Sequence, residues 1–172
     1  MRKAKRLLFL SMAATVLFST NAYAMSSAQE LTWSLVERPT FLNSTDFKKD
    51  IVNIIPRGEI LSTGMVTIGD NGSGKIYLCI ETYAHKNVDR ISQTLFLEQW
   101  DEGLDDWVYV NDWEFAITKE ENGGELYDYI VEMEVEGCEV GESYRARGSH
   151  TVRLGTKTES FSSMTDGVTL TD

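Results

Sequence analysis

After Arg57-Gly58, apolar and polar residues alternate with a period of two along most of the chain. That alternation predicts strands with one buried face. The runs cover residues 59–68, 75–84, 91–100, 107–117, 126–136, 143–154 and 157–170. Turn-forming residues separate them: Asp70-Asn71-Gly72-Ser73-Gly74, Asp101-Glu102-Gly103-Leu104-Asp105-Asp106, Glu121-Asn122-Gly123-Gly124 and Gly155. No segment after residue 56 carries the 3.6-residue period of an amphipathic helix. The pattern therefore predicts an all-β fold over residues 57–172, an antiparallel seven-stranded sandwich of the immunoglobulin-like or fibronectin type. Tyr144, just after Gly141-Glu142-Ser143 at the start of the sixth run, stands where such sandwiches place a tyrosine corner. An ordinary strand aromatic is the alternative for this residue.

The first 56 residues follow other rules. Arg2, Lys3, Lys5 and Arg6 precede an apolar run from Leu7 to Phe18, and Ala22-Tyr23-Ala24 supplies the small residues of a cleavage site. Residues 1–24 are expected to be a signal peptide, cleaved after Ala24 to release a secreted, extracellular protein. The apolar run falls short of the roughly 20 residues that span a bilayer. No later stretch reaches that length, so no membrane insertion is expected after cleavage. Residues 25–56, polar and punctuated by Pro39 and Pro56, are expected to form an irregular N-terminal segment.

Charge narrows the partners. The 172-residue chain holds 16 basic and 27 acidic residues, a net charge of -11. The signal segment takes four of the basic residues and no acid, leaving 12 against 27, or -15 over 148 residues. Such a surface keeps a protein soluble and argues against nucleic acid or anionic membrane as partner. Cys79 and Cys138 are the only cysteines, and in an exported chain they are a disulfide candidate. Strand parity sets Cys79 on the face opposite Ile76, Leu78 and Ile80, so a bridge would join an outer face to a loop.

Several segments resemble a family of small secreted proteins of Gram-positive bacteria with no assigned function. They are Arg57-Gly58 followed by Leu61-x-x-Gly64, Gly74-Lys75-Ile76-Tyr77, Leu95-Phe96-Leu97-Glu98 with a later Trp107, and Tyr144-Arg145-x-Arg147-Gly148-x-His150. The stretch from Glu159 to Thr165-Asp166-Gly167-Val168 resembles the end of the same family. The resemblance spans roughly residues 57 to 170. It implies a small exported β-sandwich and supplies no catalytic residue.

Chemistry-bearing patterns are sparse. Gly69 to Gly74-Lys75 matches most of a phosphate-binding loop, but Ile76 stands where Ser or Thr would hold magnesium, and a strand follows instead of a helix. Asp101, Glu102, Asp105 and Asp106 offer oxygens for calcium without EF-hand spacing, so a solvated turn is the expectation. His85 and His150 have no metal-ligand spacing, and Ser149 and His150, adjacent in a strand, point to opposite faces. No catalytic residue, metal site or cofactor is predicted. The Arg145, Arg147 and Arg153 side chains share one strand face, which reads as a solvated, ion-paired surface.

Aromatic residues are the more informative feature. Trp100, Trp107, Tyr109 and Trp113 fall within fourteen residues across one predicted hairpin and are the candidate ligand-binding residues. Trp107 and Tyr109 share a face opposite Val108 and Val110. If the valines are inside, the rings are displayed beside carboxylates, as in carbohydrate-binding sandwiches; in the opposite registration the rings are core. The resulting expectation is an exported, non-enzymatic binding or interaction module acting at or outside the cell surface, on a cell-wall glycan or a surface protein. A secreted carboxylate-dependent hydrolase and a carbohydrate-binding module using Trp107 and Tyr109 are the alternatives.

Overall fold

The computed structural model describes residues 31–36, 49–54 and 58–172. The expected signal peptide and its cleavage site lie outside these residues. Among them there is no helix. The strands are β1 (Thr32–Leu35), β2 (Lys49–Ile54), β3 (Leu61–Asp70), β4 (Lys75–Ala84), β5 (Arg90–Asp101), β6 (Asp106–Thr118), β7 (Asp128–Glu136), β8 (Ser143–Leu154) and β9 (Lys157–Met164), followed by the two-residue β10 (Val168–Thr169).

Two antiparallel sheets face each other. The first has the order β1-β7-β4-β3-β2, and the second runs β6-β5-β8, with β9 and β10 following one another along the far side of β8. The seven expected runs correspond to β3 through β9, the last run dividing into β9 and β10. The expected count of seven is too low, and the lead is not irregular throughout, because β1 and β2 both come from it. The reason is backbone pairing at the sheet edges. β2 lies along β3 from Lys49↔Gly69 to Ile54↔Gly64, and β1 lies along β7 from Thr32↔Glu136 to Leu35↔Met133. Each gives hydrogen-bond partners to a strand that would otherwise end the sheet.

The central strand β4 shows how parity builds the core. Ile76, Leu78 and Ile80 are completely buried against Leu95 and Leu97 of the second sheet, within one cluster that also holds Val66, Ile68, Met133 and Val135. Tyr77 and Cys79 point the other way yet are also buried, with Val36 packed on them. The first sheet is thus buried on its outer face as well at Tyr77 and Cys79. Cys138 belongs to the inner cluster while Cys79 lies on the outer face. The sheet stands between them and no disulfide joins them, so the disulfide candidate is corrected: both cysteines are buried thiols. Burial pushes the Cys138 thiol up to about 12.

Tyr144 closes one end of the core. Its ring is 2% exposed, and its hydroxyl oxygen accepts the backbone N–H of Glu139 at 3.0 Å. At the other end a smaller apolar cluster gathers Ile60, Leu61, Val88, Ile91, Leu126 and Val152. Between the two clusters runs a belt of polar side chains. His150 Nδ1 lies 2.8 Å from Thr82 Oγ1, His150 Nε2 lies 2.8 Å from Ser163 Oγ, and Gln93 donates to Thr82 Oγ1 at 2.7 Å. His150 stacks on Phe161 with centroids 4.7 Å apart. A Cβ on Gly64 would collide with that imidazole and the Phe161 ring, so the close approach of β3 requires glycine there.

Candidate functional site

The site residues depend on one irregularity in the β5–β6 pairing. Leu97 pairs with Asn111 and Glu98 with Tyr109, which leaves Val110 without an opposite residue. A bulge of this kind shifts strand parity by one. Before it, Val108 and Val110 turn inward while Trp107 and Tyr109 turn outward. After it, Trp113, Phe115 and Ile117 turn inward and Asp112 and Glu114 outward. The candidate aromatics therefore do not form one group. Trp113 is only 6% exposed and belongs to the main core, with its ring 6.5 Å from that of Trp33 on β1. Its inclusion among the candidate ligand-binding residues is corrected.

Trp100, Trp107 and Tyr109 come together on the outer face of the second sheet. Trp100 and Trp107 are cross-strand partners, their rings 5.4 Å apart at 71° in an edge contact. Arg145 of β8 lies over Trp107, with its guanidinium carbon 4.7 Å from the ring centroid. One residue pair along β8, Arg147 lies over Phe96 at 4.2 Å. Glu98 sits between the two guanidinium groups and accepts from Arg145 Nε at 2.6 Å and from Arg147 Nη2 at 3.2 Å. Glu98 is largely buried, so these charge-assisted bonds are shielded from solvent more than an open surface pair would be. Arg145 and Arg147 make the cross-strand ion pairs expected of this face, and they also lie over the Trp107 and Phe96 rings.

Tyr109 is 60% exposed, and its hydroxyl donates to Asp112 Oδ1 at 2.6 Å. The carboxylate holds that phenolic proton and raises the tyrosine above its ordinary range. Two hollows adjoin Trp100. One, of about 450 Å³, is lined by Gln99, Asp101, Glu102, Glu139 and Glu142; the other, of about 350 Å³, by Trp107, Ser143, Asp166 and Thr169. The outer face thus offers planar apolar rings bordered by Asp112, Ser143, Asp166 and Thr169 as hydrogen-bond acceptors.

The remaining candidates resolve into turn and core roles. Asp101 Oδ1 accepts from the N–H groups of Gly103 and Leu104, and Asp106 Oδ1 from that of Trp107, so these carboxylates tie down the β5–β6 turn. Among the described residues, no three His, Cys, Asp or Glu side chains converge as a metal-ligand set. The Gly69–Lys75 stretch is the β3–β4 hairpin, closed by bonds from Asn71 N to Lys75 O and from Lys75 N to Gly72 O. His150 is fully buried and Ser149 faces outward, which keeps the two side chains apart.

The sequence reading missed two things. Phe96 and Glu98 complete the outer face, and their signal was their shared parity with Trp100 on one strand. The Thr82–Gln93–His150–Ser163 belt also went unread, although polar residues at inward positions of apolar runs mark it. No family model matches this chain, and the search of curated proteins finds no relative.

Proposed function

We propose that this chain is an exported, non-enzymatic binding module working at or outside the cell surface, and that its ligand docks on the outer face of the second sheet. The observation that carries this reading is the bulge at Val110, which turns Trp107 and Tyr109 outward beside Trp100. The exposed Tyr109 ring and the half-buried Trp100 and Trp107 rings, bordered by carboxylates and hydroxyls, suit the faces and hydroxyl groups of a sugar, so a cell-wall glycan is the favoured ligand class. The hydrolase alternative calls for a cleft holding a carboxylic acid of raised proton affinity. The carboxylates with a resolved shift, Glu59, Glu121, Glu136 and Glu159, are all lowered, by Lys157, the Thr118 backbone, Lys75 and the Leu61 backbone respectively.

The same reading places the sandwich in the immunoglobulin-like, fibronectin-type class. Its support is the division of β3 through β9 into β3-β4-β7 against β6-β5-β8-β9, together with the Tyr144 hydroxyl bonded back to the Glu139 backbone at the start of the sixth of these seven strands. Export rests on the positive, apolar and small-residue order of residues 1–24.

The test is a titration of intrinsic tryptophan fluorescence in residues 25–172 with peptidoglycan and polysaccharide fragments. A saturable change with one glycan class, lost in Trp107→Ala and Tyr109→Ala, is the expected result. No change with any fragment, in a protein whose Trp107→Ala variant still folds, contradicts the glycan reading.

A further inference from the structure

We propose that the second half of β6, residues 111–118, is a docking edge for an extended cationic segment of a partner protein, which adds to the second sheet as a further strand. This edge borders the aromatic face, since Asp112 holds the Tyr109 hydroxyl, but the proposal does not depend on the glycan reading.

β6 is thirteen residues long, about 43 Å of strand, and among the described residues its only ladder partner is β5. Among the described residues, one side of its backbone therefore has no ladder partner for its N–H and C=O groups. Natural edges are usually blunted by charged side chains, Lys above all, or by Pro, shortness, a bulge or a covering loop, and the charges on this segment are the acids Asp112 and Glu114. β6 contains no Lys, Arg or Pro, and its bulge lies at Val110, before the segment in question. Residues 111–118 pair with residues 90–97 of β5 without irregularity, so the open side is a regular template as far as Ile117; at Thr118 the N–H is bonded to Glu121 Oε2 and the C=O accepts from Asn122 N.

The side chains along this template specify the occupant. Asp112 and Glu114 face outward; Trp113, Phe115 and Ile117 face inward and pack on the two core clusters. A strand laid beside them meets acidic neighbours at one parity and apolar neighbours at the other. Directly opposed side chains of opposite charge stabilise a sheet and like charges destabilise it, so the guest needs Lys or Arg at one parity and apolar residues at the next.

Two independent features mark the same flank as incomplete. Across the opening, Trp33 and Leu35 share one face of β1 and are 49% and 63% exposed, apolar surface that a guest's inward side chains would cover. Among the described residues, the buried Trp113 Nε1 donor has no acceptor. Antiparallel pairing of β6 with a second copy centred on Trp113 would set Asp112 against Glu114, which disfavours that register of self-association.

The test uses backbone amide exchange on residues 25–172 with a ten-residue probe alternating Lys and Val. Controls are a peptide of five Lys followed by five Val, and one alternating Glu and Val. The expected result is slowed exchange within residues 111–118 with the Lys/Val alternating probe alone, weakened by salt. Affinity should fall several-fold in Glu114→Lys and in Ala116→Lys, both at exposed positions. Equal protection by the block peptide would reduce the effect to bulk charge and overturn the proposal. So would protection elsewhere, no protection, or slowed exchange at 111–118 that grows with protein concentration in the absence of peptide, which would make the occupant a second copy.

Discussion

The guanidinium of Arg145 lies 4.7 Å from the centre of the Trp107 indole while its Nε is bonded to Glu98. The ring is thereby held from β8 and braced from β5 by Trp100. A ring fixed in this way loses little freedom when a ligand stacks on it, which is how a shallow face gains affinity.

The two tryptophans of β6 should separate in stability. Trp107 is half-buried on the outer face, where its contacts with Trp100 and Arg145 contribute about 1–2 kcal/mol together. Trp113 lies in the core, where truncating an aromatic costs about 3–5 kcal/mol. Denaturant unfolding of Trp107→Ala and Trp113→Ala should give losses in that order. Equal losses would mean that the bulge does not divide the strand.

Tyr144→Phe should lose about 1–2 kcal/mol, because the Glu139 N–H is left without its acceptor. Tyr144→Ala should lose about 3–5 kcal/mol, since the whole ring leaves the core. An effect of Tyr144→Ala below about 1 kcal/mol, well under the range for a buried ring, would remove the residue from the core.

Acid should destabilise the fold. Burial depresses the His150 pKa from 6.5 to about 4, so the unfolded chain binds the extra proton first. The stabilisation is complete above pH 6.5 and is lost as pH falls toward 4, by roughly 3 kcal/mol in all. Glu159, lowered chiefly by the N–H of Leu61, acts in the same direction: its contribution is present above the unfolded carboxylate pKa and fades as pH falls further. Unfolding free energy measured from pH 7 to pH 4 should slope downward, and His150→Gln should flatten the part between 6.5 and 4. An unchanged slope in that variant would assign the acid sensitivity to other groups.

Thiol titration of the protein after unfolding should count two thiols, and slow or no reaction at Cys138 before it, since burial holds that thiol protonated. A count of zero without reductant would require the first sheet to open far enough for Cys79 and Cys138 to meet.

Some of this was legible in the chain and some was not. The alternation in Ile76-Tyr77-Leu78-Cys79-Ile80 placed β4 and its faces correctly, because side-chain parity within one strand is a local property. The division of Tyr109 from Trp113 was not legible: a bulge at Val110 is set by how β6 registers against β5, and nothing in the β6 residues alone requires it. Likewise Thr32–Leu35 and Lys49–Ile54 are too short to announce themselves, and they become strands because β7 and β3 present open edges to them. Gln93, Thr82 and His150 could have been flagged as polar residues at inward positions. Their joining into one belt depends on three strands from two sheets.

The measurement that tests the central claim most directly is a ¹H–¹⁵N correlation titration of residues 25–172 with peptidoglycan fragments. The account predicts shifts confined to the indole and backbone signals of Trp100 and Trp107, the backbone of Tyr109 and the Nε signal of Arg145, with the Trp113 indole unmoved. Shifts that leave those groups untouched and gather on the first sheet or in a carboxylate-lined cleft would contradict it.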